Sequence, residues 1–227
     1  MIRIEHVTHA YGDRVVVDDV SLDLREHRIG LIGANGSGKS TLARMVNGLI
    51  VPDTGRVLVD GLDTRDHVKE IRRRVGFVFP DADTQIIMPT VAEDVRIGLR
   101  DSGLSRDEIE ARVDEALARH GLLEHRDHPA HLLSSGQKQM LALASVLVTE
   151  PQILVCDEPT TLLDLRNVRI ITETLRTLPQ QVILLTHHLD TLSGFDRVLV
   201  MDAGKIVFDG APEDAVAYYV ALMEQRP

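Results

Sequence analysis

The run Gly33-Ala34-Asn35-Gly36-Ser37-Gly38-Lys39-Ser40-Thr41 follows the pattern G-x-x-x-x-G-K-[ST]. It stands between an apolar stretch, Arg28–Ile32, and a stretch of helical periodicity, which is the setting such a loop needs to cradle phosphate. Glycines let backbone N–H groups curl around phosphate oxygens, and the start of the following helix adds a partial positive charge. In this reading Asn35, Gly36, Ser37, Gly38 and Thr41 belong to the cradle. Lys39 neutralises the outer phosphates, and the Ser40 hydroxyl ligates Mg²⁺. Farther on, Ile153-Leu154-Val155-Cys156-Asp157-Glu158 is an apolar strand ending in two carboxylates. Asp157 is expected to hold Mg²⁺ through its water shell, and Glu158, just beyond the strand, to polarise an attacking water. Alone, the pair could equally be an acidic strand end at the surface, but the phosphate loop upstream favours chemistry. Cys156 reads as a small core residue rather than a reactive thiol.

The elements that must position these groups are legible from periodicity. Ile2, Ile4, Val20, Leu22 and Leu24 alternate with polar residues, as in antiparallel strands. Residues 40–49 place Leu42, Met45, Val46 and Leu49 at helical spacing, and residues 57–59 and 75–79 read as strands. From about residue 90 to 149 the chain is mostly helical. There Ser105 and Glu108 form a capping box, Ile109, Val113, Ala116 and Leu117 an apolar face, and Gly121 a stop. Strands are expected again at 153–156, 182–186, 197–201 and 205–208. Helices are expected at about 164–178, stopped by Pro179, and over Pro212–Glu224 with Pro at its first turn. The alternation predicts an α/β fold with a parallel sheet and crossover helices. Residues 1–89 and 150–227 make the core, and 90–149 are a helical insert.

The 227 residues carry 44% hydrophobic and 26% charged residues, with 25 basic against 35 acidic side chains and a net charge of −10. This is the composition of a globular protein and excludes disordered and fibrous classes. The acidic balance argues against nucleic acid as the main partner, because phosphate backbones are bound by basic surfaces. No apolar run reaches the roughly 20 residues of a spanning helix, and the first residues lack a signal-peptide core, so a cytoplasmic location is expected. A single cysteine excludes an internal disulfide framework.

Too much chain separates Lys39 from Asp157 for one crossover, and the helical insert fills the gap. Its last segment, Leu133-Ser134-Ser135-Gly136-Gln137, opens a helix expected over 138–148. With these motifs the chain resembles the ATP-binding cassette ATPases, P-loop NTPases whose mixed-sheet core carries an N-terminal antiparallel β subdomain and an inserted helical subdomain. The family signature is Leu-Ser-Gly-Gly-Gln, and this chain has Ser135 where the first glycine belongs. A side chain there either loosens the contact or adds a hydrogen bond. The resemblance implies that Ser134, Ser135, Gly136 and Gln137 face the γ-phosphate of ATP held by a second chain. It also implies that Tyr11 stacks on adenine, that Asp164 crosses the dimer interface, and that His187 reaches the γ-phosphate and the attacking water. His188 is expected to be exposed. The family's usual glutamine after the strand 75–79 is replaced by Pro80, with Gln85 five residues later.

The segment from Asp81 to Val95 looks like its counterpart in ATPases of energy-coupling-factor importers. With the run Thr160-Thr161-Leu162-Leu163-Asp164-Leu165-Arg166-Asn167, it is most similar to the biotin transporter's ATPase. Ile86, Ile87, Met88, Val91 and Val95 could line a groove for a membrane subunit's helix, or simply pack the insert. The resemblance implies ATP and Mg²⁺ as ligands and a homodimer or a pair with a paralogous ATPase. It further implies a transmembrane coupling subunit, a substrate-binding membrane subunit, and a peripheral position on the cytoplasmic face of the membrane. The alternatives are a cobalt or nickel importer, prompted by His120, His125, His128 and His131, another ABC importer, or a soluble non-transport cassette ATPase. Pro129 breaks any helical face those four histidines might share.

Overall fold

The computed structural model describes residues 1–161 and 163–225; Leu162, in the run quoted above, lies outside the described residues. β1 (Ile2–Tyr11) and β2 (Arg14–Leu24) form a hairpin in which Ile2 faces Leu24, Ile4 faces Leu22 and Val7 faces Val20. The two-residue period puts Ile2 with Ile4, and Val20 with Leu22 and Leu24, on one face, an irregularity between Ile4 and Val7 returns Val7 to it, and all are buried. β3 (Arg28–Ile32) is buried throughout and feeds the phosphate loop, after which α1 (Lys39–Val46) begins. This helix stops short of the expected residue 49 because Gly48 takes φ +68 and turns the chain away. Leu49, expected on its apolar face, is therefore exposed. β4 (Thr54–Val59) and β5 (Leu62–Asp63) complete an antiparallel sheet of order β2-β1-β4-β5.

After α2 (Val68–Arg74) and β6 (Val75–Val78) come three helices, α3 (Val91–Ile97), α4 (Arg106–Arg119) and α5 (Ser135–Leu147). Each opens on a reciprocal cap: Thr90 with Glu93, Ser105 with Glu108, and Ser134 with Gln137. The last helix thus starts three residues earlier than expected, since Ser134 supplies the cap that lets Ser135 enter the first turn. The chain closes with β7 (Ile153–Asp157), α6 (Leu165–Thr177), β8 (Gln181–Leu185), β9 (Arg197–Asp202), β10 (Lys205–Gly210) and α7 (Pro212–Glu224). The second sheet has the order β10-β9-β3-β8-β7-β6, parallel except for the β10 and β9 pair. At the far end of α6 the buried Arg28 guanidinium donates to the carbonyls of Arg176, Leu178 and Gln180. A cation on those unpaired carbonyls ties the start of β3 to that helix.

One apolar core fills the space between the two sheets around α1. A second lies on the other face of the parallel sheet, under α6 and α7, and a third joins α3, α4 and α5. The third contradicts part of the groove reading. Val91 and Val95 are fully buried and Ile86 packs against the same cluster, because α3 turns its apolar stripe toward α4 and α5. Ile87 remains exposed and Met88 half-buried. Among the described residues, no helix is long and apolar enough to cross a membrane.

Candidate functional site

The C-terminal ends of the parallel strands β3, β8 and β7 lie side by side, and β3 pairs with β8 on one flank and β9 on the other. That is where ligands bind in open α/β sheets. The loop after β3 is held by close approaches that only glycine permits. A Cβ on Gly38, whose φ is +106, would lie 2.1 Å from the carbonyl oxygen of Val16; one on Gly33 would lie 2.1 Å from that of Met201. Lys39 is buried, and its ammonium donates to the carbonyls of Gly33 (2.7 Å) and Ala34 (3.0 Å). Burial lowers its pKa below the usual lysine value, opposed by the charges of Glu158 and Asp157.

Strand pairing brings the second motif to the first. The Ser40 hydroxyl donates to Asp157 Oδ1 at 2.8 Å, and Arg44 stands 3.6 Å from Oδ2. Asp157 is 1% exposed, and burial raises its pKa against the opposing effects of Ser40 and Arg44. Its Oδ2 has no hydrogen-bond partner, and neither has the buried Ser37 hydroxyl. Buried oxygens left without partners beside a ring of backbone N–H groups suit a hard cation and a polyphosphate. Glu158 sits just past β7 with φ +50, a left-handed conformation that turns its carboxylate off the strand line. There it accepts from His187 Nδ1–H at 3.1 Å and from the Thr161 hydroxyl at 3.3 Å. His188 is half-buried rather than exposed, because its backbone is pinned by the hydroxyls of Thr186 and Thr191. Burial also pushes the Cys156 thiol well above its ordinary pKa.

These groups open on a cleft of about 270 Å³ lined by Tyr11, Arg14, Val16, the loop residues 35–41 and Glu158. Tyr11 stands exposed at its mouth, its ring centroid 4.9 Å from that of His9 in an edge-to-face arrangement. Arg14, Val16 and Arg44 were not singled out from the sequence. Arg14 pairs with Tyr11 across the hairpin and points toward Gly36, so the register of β1 and β2, absent from any motif, was the signal.

The remaining expected residues lie elsewhere. Ser134 and Ser135 are exposed at the start of α5, where Ser134 Oγ accepts from Gln137 N–H and Gln137 Oε1 accepts from Ser134 N–H. Gly136 is buried, and a Cβ there would come within 2.4 Å of the Asn167 side chain. Asp164 caps α6 by accepting from Asn167 N–H at 2.8 Å. None of these residues lines the cleft. Gln85 folds back on its own strand, with Oε1 accepting from Phe79 N–H at 2.9 Å, so it does not reach Ser40 and Asp157.

Residues 17–161 match the family model described as ABC transporter. A Deinococcus radiodurans protein, named only to the level of an ABC transporter ATP-binding protein, is 53% identical over 96% of this chain and 97% of its own. The biotin transport ATP-binding protein BioM of Rhizobium etli is 45% identical, with the same coverage. Among solved structures, cbiO1 of Clostridium perfringens, part of the ABC transporter complex cbiONQ, superposes with a TM-score of 0.84 at 35% identity, covering 98% of this chain and 93% of that one. The ATP-binding cassette MJ0796, in a dimeric post-hydrolysis state with ADP and Pi, gives 0.84 at 28% identity over 93% and 99%. The chain therefore belongs to the ABC transporter family, as one of its ATPases.

Proposed function

We propose that this chain is the ATP-hydrolysing subunit of an energy-coupling-factor importer that takes up biotin, working as a homodimer on the cytoplasmic face of the membrane. The observation that carries the mechanism is that the cleft is half a site. Lys39, Ser40 and Glu158 line it, with Asp157 bonded to Ser40 and His187 to Glu158 beside it, while the capped start of α5 stands exposed away from it. Two copies placed head to tail bring Ser134, Gly136 and Asp164 of one chain to the nucleotide of the other. The likeness to the biotin transport protein BioM and to cbiO1 supports the importer class.

The roles follow from chemistry. Tyr11 offers its exposed ring to adenine, and the loop 33–41 offers N–H donors to phosphate. Lys39 exchanges its two carbonyl partners for phosphate oxygens. Ser40 and Asp157 would hold Mg²⁺, which when bound neutralises phosphate charge. Glu158 accepts the proton of the attacking water, and His187 Nδ1–H holds the carboxylate in place. ATP closes the pair and hydrolysis reopens it, which would move a transmembrane coupling subunit beside a substrate-binding membrane subunit. Glu158→Gln should bind ATP, fail to hydrolyse it and accumulate as an ATP-bound dimer in size-exclusion chromatography. Normal turnover by that variant would remove Glu158 as the base. Uptake of labelled biotin by cells with and without the chain tests the substrate, and equal uptake would remove biotin while leaving the ATPase.

A further inference from the structure

Two hydrogen bonds behind the capping box of α5 belong to no motif. Gln137 Oε1 accepts from Ser134 N–H at 2.9 Å, which fixes the orientation of the side-chain amide. Its Nε2 must then be the atom 2.9 Å from His125 Nε2, and because an amide nitrogen only donates, His125 Nε2 accepts. That places the His125 proton on Nδ1, which donates to His128 Nδ1 at 2.9 Å. The two histidines sit on a turn that is itself anchored to α3. Val91 N–H donates to the His128 carbonyl and Ala92 N–H to that of Arg126. The cap of α5 is therefore held from α3 through one imidazole with a defined tautomer.

We propose that His125 is a positioning residue for ATP hydrolysis, holding the Gln137 amide so that the first turn of α5 meets the partner's nucleotide in a single orientation. This rests on the head-to-tail reading above. Gln137 cannot serve both Ser134 and a water-exposed rotamer, so loss of the His125 acceptor frees the amide and loosens the cap. The cleft that first binds ATP contains none of these residues, so the effect falls on turnover and pairing rather than on initial binding.

Two amide substitutions test the idea. Glutamine carries an amide group where histidine has Nε2, whereas asparagine carries it where histidine has Nδ1, out of reach of Gln137. His125→Asn should lower kcat about fivefold to tenfold, the effect of one well-placed hydrogen bond, with ATP affinity of the isolated chain unchanged. His125→Gln should recover kcat to within about twofold, with both variants folded by circular dichroism. Wild-type kcat in His125→Asn, or His125→Gln no better than His125→Asn, overturns the proposal. In the Glu158→Gln background, adding His125→Asn should weaken the ATP-dependent dimer by the same factor. A Glu158→Gln dimer that forms but is indifferent to His125→Asn overturns only the positioning role. No Glu158→Gln dimer at all overturns it together with the head-to-tail reading.

Discussion

Gly38→Ala isolates the geometry of the phosphate loop from the general cost of a left-handed residue. The added Cβ would lie 2.1 Å from the Val16 carbonyl oxygen, where 3.0 Å is the practical limit for a Cβ, and 2.8 Å from the end of Met201. The obstacle is backbone of β2 and cannot rotate away, so the loop must retreat by close to an ångström. A displacement of about 1 Å at a positioning element costs on the order of 100-fold in rate. Gly121→Ala is the control. Its φ is also positive, +69, yet a Cβ there meets nothing within 4 Å, and it lies at the end of α4 away from the cleft. A non-glycine left-handed residue costs about 1–2 kcal/mol. In a chain of this size that is roughly 2–8 °C in Tm. Gly121→Ala should thus lower Tm by that amount with kcat/KM for ATP unchanged, whereas Gly38→Ala should lower kcat/KM about 100-fold. Steady-state ATPase assays and thermal melts on both variants decide the matter. If Gly38→Ala keeps kcat/KM within about threefold of wild type, or Gly121→Ala loses as much, close approach is not what glycine supplies at residue 38.

Three further outcomes follow from the site's electrostatics and exposure. Asp157 has a raised folded pKa, so the native state binds its proton more tightly than the unfolded chain, and its ionisation costs stability as pH rises above the ordinary 3.8. Asp157→Asn should therefore raise the Tm of nucleotide-free protein at neutral pH, lose the gain below that pH, and abolish Mg²⁺-dependent hydrolysis; a lower Tm at neutral pH would contradict this. His120, 7% exposed with no partner on Nδ1, has its pKa lowered from 6.5 to about 4 by burial, so the stability that it allows at neutral pH is lost as pH falls from 6.5 toward 4. His120→Leu should flatten the stability profile across that window by up to about 3 kcal/mol in urea titrations; an unchanged slope would exclude His120 as its source. Tyr11→Ala should raise KM for ATP by a factor of about 5 to 150, equivalent to roughly 1–3 kcal/mol of stacking, while Tyr11→Phe stays near wild type; an unaltered KM in the alanine variant would remove Tyr11 from the adenine site.

Local chemistry wrote itself plainly into this chain. The phosphate loop is contiguous, so its glycines, Lys39 and Ser40 could be read with their spacing and flanks, and the strand ending in Asp157 and Glu158 announced itself by its apolar run. Capping boxes are likewise local, which is why the start of α4 at Ser105 was legible. Errors came where a local pattern met long-range packing. For Val91 and Val95 the sequence left groove lining and core packing open until α4 and α5 covered them, and Leu49 looks helical until Gly48 turns the chain.

Sequence sufficed to mark the phosphate loop and the acidic strand end as candidates, because phosphate binding needs particular types at particular spacing. Packing of α1 against the end of β7 brought Ser40 within 2.8 Å of Asp157, and the left-handed turn at Glu158 aimed its carboxylate at His187. Burial then moved the pKa values of Lys39 and Asp157. The same packing left the start of α5 exposed, with His125 behind its cap. Such contacts join residues distant along the chain, and hydrogen-bond reach and desolvation exist only once the sheet has assembled around them.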